Sequence, residues 1–147
     1  RRWNDKAELA IAAIRQQMAK HPMAVADLGD LRTELLEYLE LASTRAKGIA
    51  AVFTLFSSEY FQDTSSTPQD LRTALLAGGK ETLRALLDRA VERGEILEQN
   101  LAPPVDTLLG VQFRHHVLMT FSPPPEALRT AWVDRIFLPL VKPQEES

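Results

Sequence analysis

Hydrophobic residues recur along most of the chain at intervals of three and four positions, which is the spacing of one face of an α-helix. This pattern predicts helices over residues 5–19, 31–47, 68–93, 104–121 and 126–141. The stretch IAAVFTLFSSEYFQ, residues 49–62, is apolar almost all round and predicts a further helix at the centre of a bundle. No segment alternates with the period of two typical of a half-buried strand. The pattern therefore predicts an all-α, six-helix, bundle-like domain.

Residues that favour helix ends divide these segments. Asp5, followed three positions later by Glu8, is typical of a capping box, and Asp30 is placed to cap the second helix. Gly48 is predicted to separate the second helix from the third, and Gly94 to follow the end of the fourth. We predict that the chain has three parts. Residues 1–4 are the trailing end of a preceding segment, residues 5–141 form one domain, and residues 142–147 form a polar tail.

The last two predicted helices each carry two apolar faces. In helix 126–141, Leu128, Trp132 and Ile136 share one face, whereas Val133 and Phe137 share another. A helix packed on a single core needs only one apolar stripe, so the second face predicts contact with another copy of the chain, since two-fold dimers are the commonest assembly. The alternative is that both helices lie deep inside one chain. The predicted dimer interface comprises Val111, His115, Leu118, Leu128, Trp132, Val133, Ile136 and Phe137.

The residue composition of the central helix is also typical of a ligand cavity. Its aromatic residues are interleaved with serine and threonine, and ligand cavities combine apolar walls with a few polar groups that fix orientation. Met119 and other residues of neighbouring helices could complete the wall. The alternative is that the aromatic residues only fill the core, as aromatic residues commonly do. The predicted ligand-binding residues are Tyr38, Phe53, Phe56, Ser57, Tyr60, Phe113 and His116.

Composition narrows the classes of function. The 147 residues include 17 basic and 20 acidic ones, for a net charge of -3, and no cysteine. A net negative charge argues against nucleic-acid binding by this segment itself, and the lack of cysteine excludes disulfides and thiolate metal sites. No apolar run approaches the roughly 20 residues of a membrane span, and no signal peptide is evident. We therefore expect a soluble, cytoplasmic protein without membrane association.

The search for catalytic motifs finds none. The chain has no phosphate-binding loop, nucleophile elbow or zinc-binding HExxH sequence. His115 and His116 diverge by about 100° on a helix and so cannot readily chelate one ion. Glu34, Glu37 and Glu40 are interpreted as a solvated helix face rather than an acid–base cluster. We expect no metal, no cofactor and no enzymatic activity; the alternative is a reaction that uses His116 with a nearby carboxylate.

Three stretches resemble one protein family. The junction of Arg1-Arg2-Trp3 with Lys6-Ala7-Glu8-Leu9 resembles the point where the DNA-reading head of TetR-family transcriptional regulators meets the fourth helix. DLGDLRTELLEYL, residues 27–39, is similar to the family's entry into its fifth helix, and LRALLDRAVERGEI, residues 83–96, to the end of its seventh. The order and lengths of the helices also fit the C-terminal ligand-binding domain of that family.

The resemblance implies a function. It implies a homodimer built by the last two helices, an effector pocket among the family's fifth to eighth helices, and operator DNA read by a head that precedes Arg1. Arg1, Arg2 and Lys6 would approach phosphates without reading sequence. The regulator, most simply a repressor, would release DNA when a small, mostly apolar effector binds. The alternative is a dimerising helical interaction module with a filled core and no effector.

Overall fold

The computed structural model describes residues 2–56, 79–120 and 122–143, with side chains described at residue 9 and over 12–48, 79–120 and 122–143. These residues form helices and turns and contain no strand, which confirms the all-α class. The helices are α1 (Arg2–Lys20), α2 (Leu31–Phe56), α3 (Gly79–Glu92), α4 (Leu108–Thr120), α5 (Glu126–Ala131) and α6 (Leu138–Val141). A π-helical turn, Trp132–Phe137, joins α5 to α6, and short 3-10 turns occupy Glu98–Leu101 and Val105–Thr107.

Helix α1 begins earlier than its sequence pattern predicts. Its first residue is Arg2, so Asp5 lies inside the helix and the predicted cap at Asp5 is wrong. The physical reason is that the residues before Asp5 include neither glycine nor proline, and a good cap residue does not end a helix when its neighbours can continue it. Ile14 and Met18 are buried against α2, as the apolar stripe predicts.

Helix α2 begins at the predicted cap. The Asp30 carboxylate accepts hydrogen bonds from the backbone N–H of Thr33 at 3.0 Å and from the Thr33 hydroxyl at 2.8 Å. The backbone hydrogen bond is the main cause that lowers the pKa of Asp30. A lowered pKa in the folded state means that this cap stabilises the fold above the unfolded pKa and is lost as the pH falls through the folded one.

Gly48 does not end α2, which continues as one helix to Phe56. The predicted boundary at this residue is therefore wrong. A β-carbon at position 48 would lie 2.6 Å from the side-chain oxygen of Gln17 on α1, so glycine leaves room for that side chain where the two helices pack. The second half of the predicted helix 49–62, and the predicted start of the next at Pro68, lie outside the described residues.

Helix α3 ends as predicted at Gly94, whose φ of 78° is in the left-handed region that glycine adopts without strain. The backbone N–H of Gly94 donates to the carbonyl of Val91, and that of Glu95 donates to the carbonyl of Ala90, both at 3.0 Å. This pair of hydrogen bonds is a Schellman motif, which satisfies carbonyls that the helix end leaves without partners. The chain direction after α3 is thereby fixed.

The π-helical turn decides which side of the last helix faces the core. Its hydrogen bonds join residues that are five positions apart instead of four, so the turn contains one residue more than an α-helical turn. Trp132, Val133 and Phe137 consequently all point inward and are buried, whereas Ile136 is exposed. Arg32 of α2 holds this turn from outside through two hydrogen bonds to the Asp134 carboxylate, at 2.7 and 3.0 Å.

Candidate functional site

Tyr38 lies at the contact between α2 and α3. Its side chain is buried, and its hydroxyl donates a hydrogen bond to the backbone carbonyl of Gly79 at 3.1 Å. Burial raises the pKa of Tyr38, and the nearby positive charges of Arg114 and Arg45 oppose that rise. Tyr38 is therefore a neutral hydrogen-bond donor at neutral pH. Its hydrogen bond joins α2 to the first residue of α3.

Phe113 and His116 lie three residues apart on one side of α4. Both are half-buried, and Phe113 packs against the core. The imidazole of His116 stands edge-on to the indole of Trp132, with 5.8 Å between ring centroids and an interplanar angle of 73°. Met119, expected to complete the cavity wall, is 69% exposed, so that expectation is wrong. Its side chain follows the outer face of α4 instead.

The remaining predicted effector residues belong to the central apolar stretch. Phe53 and Phe56 lie on the last turns of α2, where the structure describes the backbone only. Ser57 and Tyr60 lie outside the described residues. Three of the predicted effector residues are therefore placed with their side chains, and the assignment of all seven stays a prediction.

Two arginines whose positive charges act on the pKa of Tyr38 were not among the predicted site residues. Arg45 follows Tyr38 by seven positions on the same face of α2, and Arg114 follows Phe113 on α4. The Nε atom of Arg45 is buried without a hydrogen-bond partner, and burial lowers the pKa of its guanidinium. The sequence signal that could have revealed Arg45 is a cation in register with the apolar stripe formed by Leu35, Tyr38 and Ala42.

Glu34 is the centre of an ion-pair cluster that the sequence interpretation missed. Its side chain is 0% exposed, so the predicted solvated face is wrong for Glu34, although Glu40 is exposed as expected. The carboxylate accepts hydrogen bonds from Arg89 at 2.9 Å, from Arg93 at 2.7 Å and from the backbone N–H of Leu28 at 3.0 Å. A buried carboxylate with three donors is satisfied and is not a free acid or base.

The cluster extends beyond Glu34. Arg93 also contacts Asp27 at 3.0 Å and Glu95 at 2.9 Å, and Glu95 accepts a hydrogen bond from the backbone N–H of Leu31 at the start of α2. The two stretches 27–39 and 83–96 are therefore in direct contact, and their charged residues bind each other. We call this set the Glu34 ion-pair cluster: Asp27, Glu34, Arg89, Arg93 and Glu95.

Some residues of the predicted dimer interface are buried in the core of the chain, and most of the others are exposed. Trp132, Val133 and Phe137 lie in the core of the single chain, so we remove these three residues from the interface. The physical reason is that the stripe of Val133 and Phe137 faces the core of the same chain, and Trp132 at the start of the π-helical turn is buried beside it. Leu128 is half-buried against that core and stays a predicted interface residue. The other predicted residues are exposed. With Met119 and Leu140 they are exposed residues of α4 and the last helical segment, and we call this set the outer apolar face: Val111, His115, Leu118, Met119, Ile136 and Leu140.

A polar surface groove of about 390 Å³ lies elsewhere, between α2 and the start of α5. Arg129 in its wall donates hydrogen bonds to the carbonyl of Pro124 at 3.0 Å and to the hydroxyl of Ser43 at 3.4 Å. Glu40 and Glu126 balance the charges of Lys47 and Arg129 in the lining. None of the predicted effector residues lines this groove. Within the part of the chain that the structure describes, no three His, Asp or Glu side chains converge as metal ligands would.

A comparison with known protein families identifies the family of this domain. The model of a family described as "Tetracyclin repressor-like, C-terminal domain" matches residues 25–136. The chain belongs to this family. The matched range contains the whole Glu34 ion-pair cluster, together with Tyr38, Phe113 and His116. The family resemblance that the two stretches carry in the sequence is thereby confirmed.

A named relative agrees with the family assignment. The chain is 27% identical over 147 residues to a DNA-binding transcriptional repressor TetR of Mycobacteroides abscessus, with 97% of this chain and 75% of the relative covered. No solved structure matches the chain significantly. The TetR-like domain is therefore that of a transcriptional regulator, and regulators of this family are in general not enzymes.

The candidate phosphate contacts of this TetR-like domain lie at its N-terminal end. Arg2 and Lys6 are on the first two turns of α1, where only the backbone is described, and Arg1 lies outside the described residues. Their approach to DNA stays a prediction. Among the described helices, none combines the length and the apolar character needed to cross a membrane.

Proposed function

We propose that this chain is the effector-binding and dimerisation domain of a TetR-like repressor in the cytoplasm, and that a small, mostly apolar effector causes release of operator DNA. The observation that carries the proposal is the outer apolar face on α4 and the last helix, in a chain whose family is established. In this mechanism two copies join through that face, and each copy positions one DNA-reading head.

The outer apolar face supports dimerisation. Leu118 and Ile136 are 49% and 44% exposed, although both belong to helices whose opposite sides lie in the core. Contiguous exposed apolar surface commonly marks an interface, and a stable one buries about 800 Å² on each partner. Helix α4 packs against the π-helical turn, so residues of both helices are available to one partner. A second copy of the chain is the simplest partner, because two-fold homodimers are the commonest soluble assembly.

Replacing Leu118 by glutamate is expected to convert the dimer to a monomer at micromolar concentration. The substitution places a charge at the centre of an apolar interface, where it would lose its water on association. Leu28→Glu is the matched control, because Leu28 is 47% exposed but lies in the loop before α2. Sedimentation equilibrium measures both masses. A monomeric wild type, or equal dimer masses for the two variants, would contradict the proposed interface.

The effector part of the proposal is supported by the side chains around Tyr38. Tyr38 belongs to the core cluster against which Phe113 packs, and His116, on the same helix as Phe113, stands edge-on to Trp132. The apolar stretch at the end of α2 adds Phe53 and Phe56 to the same helix as Tyr38. Apolar walls with few oriented polar groups are typical of ligand sites between helices.

Replacing Phe56 or Tyr60 by alanine is expected to weaken binding of the neutral dye Nile red by about tenfold, because each aromatic ring supplies apolar contact worth more than 1.4 kcal/mol. The dimer mass should not change. Fluorescence titration of the dye measures affinity, and Leu97→Ala, at an exposed leucine before a 3-10 turn, is the control. Dye affinities equal to the wild type in both site variants would remove these residues from the site.

Helix α1 is the proposed connection between effector and DNA. It packs closely on α2 where Gly48 makes room for Gln17, so a displacement of α2 by a ligand is passed to α1. Arg2 and Lys6 lie at the end of α1 that would face the DNA-reading head. A coupling free energy of about 1–3 kcal/mol would weaken operator binding by roughly 5- to 150-fold.

A further inference from the structure

The segment that joins α1 to α2 is bound to α3 by a series of hydrogen bonds. Residues 22–28 form neither helix nor strand, so regular structure does not pair their backbone groups with one another. Side chains from one side of α3 donate to this segment in chain order: Thr82 to the carbonyl of Met23, Arg89 to the carbonyls of Val25 and Ala26 at 3.1 and 3.2 Å, and Arg93 to the carboxylate of Asp27 at 3.0 Å. We call residues 22–28 the strap.

The strap follows α3 in the same direction over most of the helix. From Thr82 to Arg93 the helix rises by about 16 Å, and the four steps from Met23 to Asp27 span about 14 Å when extended. Val25, in the middle of the strap, is 8% exposed and belongs to the core cluster. Because hydrogen bonds and apolar burial hold the strap at several points, it should move with α3 as one unit.

The first of these contacts lies close to the end of α1 and to Tyr38. Met23 follows Lys20, the last residue of α1, by three positions. Thr82 follows Gly79, the first residue of α3, also by three positions. The carbonyl of Gly79 accepts the hydrogen bond from Tyr38 at 3.1 Å. One turn of α3 therefore bonds both to a predicted ligand-binding residue and to the chain that leaves α1.

We propose that Thr82 is a positioning residue that transmits movement of the first turn of α3 to the end of α1 through the strap. This inference rests on the proposed function, because it gives the effector a second route to α1 besides the packing of α1 on α2. A ligand that binds at Tyr38 competes with the hydrogen bond to Gly79 and shifts the first turn of α3. The strap is bonded to that turn and moves with it, since coupling is carried by contiguous contacts.

Thr82 allows this coupling to be tested without removing a charge. Arg89 also donates to the buried carboxylate of Glu34 at 2.9 Å, so replacing it would combine two effects. Thr82→Val removes only the hydroxyl group and replaces it by a methyl group. Thr82→Ser keeps the hydroxyl and is the matched control. Tyr38→Phe removes the hydroxyl at the other contact of the same turn.

The experiment is a double-mutant cycle measured by amide hydrogen exchange of residues 15–21, which include the last turn of α1. Mass spectrometry compares the wild type, Tyr38→Phe, Thr82→Val and the double variant. We expect each single substitution to speed exchange there by about three- to tenfold, the effect of one hydrogen bond. Contacts that act in series leave the double variant no faster than the faster single one, whereas independent contacts would multiply to about ten- to a hundredfold. Thr82→Ser should exchange as the wild type does.

Three results would overturn the coupling: unchanged exchange of residues 15–21 in Thr82→Val, multiplied effects in the double variant, or Thr82→Ser exchanging as fast as Thr82→Val. An equal rise in residues 108–120 of α4 would also overturn it, because the whole domain would then be destabilised. Circular dichroism verifies folding, and Thr82→Ala replaces the valine variant if that one does not fold.

The cycle uses no ligand, so its result is separate from that of the effector proposal. Absence of Nile red binding would overturn the effector cavity and leave the measured coupling between α3 and α1 in place. Dye binding by a protein whose cycle shows independent contacts would keep the cavity and overturn the role of Thr82.

Discussion

Replacing Glu34 by glutamine is expected to lower the free energy of unfolding by about 3 kcal/mol. The substitution removes the buried negative charge that Arg89 and Arg93 share, and breaking a buried ion pair in this way costs roughly 3–5 kcal/mol because the remaining charges stay unpaired. We expect the low end of that range, since both guanidinium groups keep some contact with water. Urea denaturation followed by circular dichroism measures the loss.

Glu40→Gln is the matched control for this prediction. Glu40 is on the same helix, is exposed and forms no ion pair within the described residues, so its substitution should change stability by no more than about 0.5 kcal/mol. Similar losses in the two variants would contradict the structural role of the Glu34 ion-pair cluster. The cluster holds the loop before α2 against the end of α3, so its loss should also speed proteolysis within residues 21–30.

Replacing Phe137 by alanine is expected to cost about 4 kcal/mol of stability. Phe137 is fully buried in the core, and removing a buried phenylalanine costs roughly 3–5 kcal/mol through lost apolar burial and the cavity left behind. Ile136→Ala, at the adjacent position, removes an exposed side chain and should cost less than about 1 kcal/mol in the monomer. Urea denaturation at two protein concentrations separates the two effects, because a change in dimer affinity depends on concentration and a core cavity does not.

The opposite result would have a clear structural meaning. If Ile136→Ala were as destabilising as Phe137→Ala at every concentration, the π-helical turn would not orient the last helix as observed. If Phe137→Ala affected only association, Phe137 would lie in the interface, as the α-helical pattern predicts. The pair of neighbouring substitutions therefore tests the one feature of the fold on which the revised interface depends.

The family signature of this chain is better explained by structure than by ligand binding. The stretches 27–39 and 83–96, which carry the resemblance, meet through the Glu34 ion-pair cluster, and Gly94 turns the chain where Glu95 reaches the start of α2. These residues fix the angle between α2 and α3. Arg45 lies further along α2 than both stretches, whereas Tyr38 lies within the first of them. A structural frame of this kind can support different ligand sites, because fold and site are separable.

The sequence by itself determined the helical class, the start of α2 after Asp30, the end of α3 at Gly94 and the family. The apolar period of α2, the Asp30 cap and the left-handed Gly94 are local features, since each depends on residues within one or two turns of the chain. The same is true of the two stretches that resemble TetR-family regulators. Local physics is sufficient for such features, and they are confirmed.

Only the tertiary structure decided which polar and apolar side chains face inward. Glu34 has the spacing of a solvated residue, and it is buried because α3 delivers two arginines from more than fifty residues away. Gly48 has the identity of a helix stop, but it lies inside α2, where its lack of a β-carbon leaves room for the side chain of Gln17 on α1. Phe137 and Ile136 are both predicted to lie in the dimer interface, but Phe137 is buried in the core and only Ile136 is exposed, within a π-helical turn that changes the helical period. In each case the deciding partner is distant in sequence or the helical period changes locally, and a pattern that assumes one period and near neighbours contains neither kind of information.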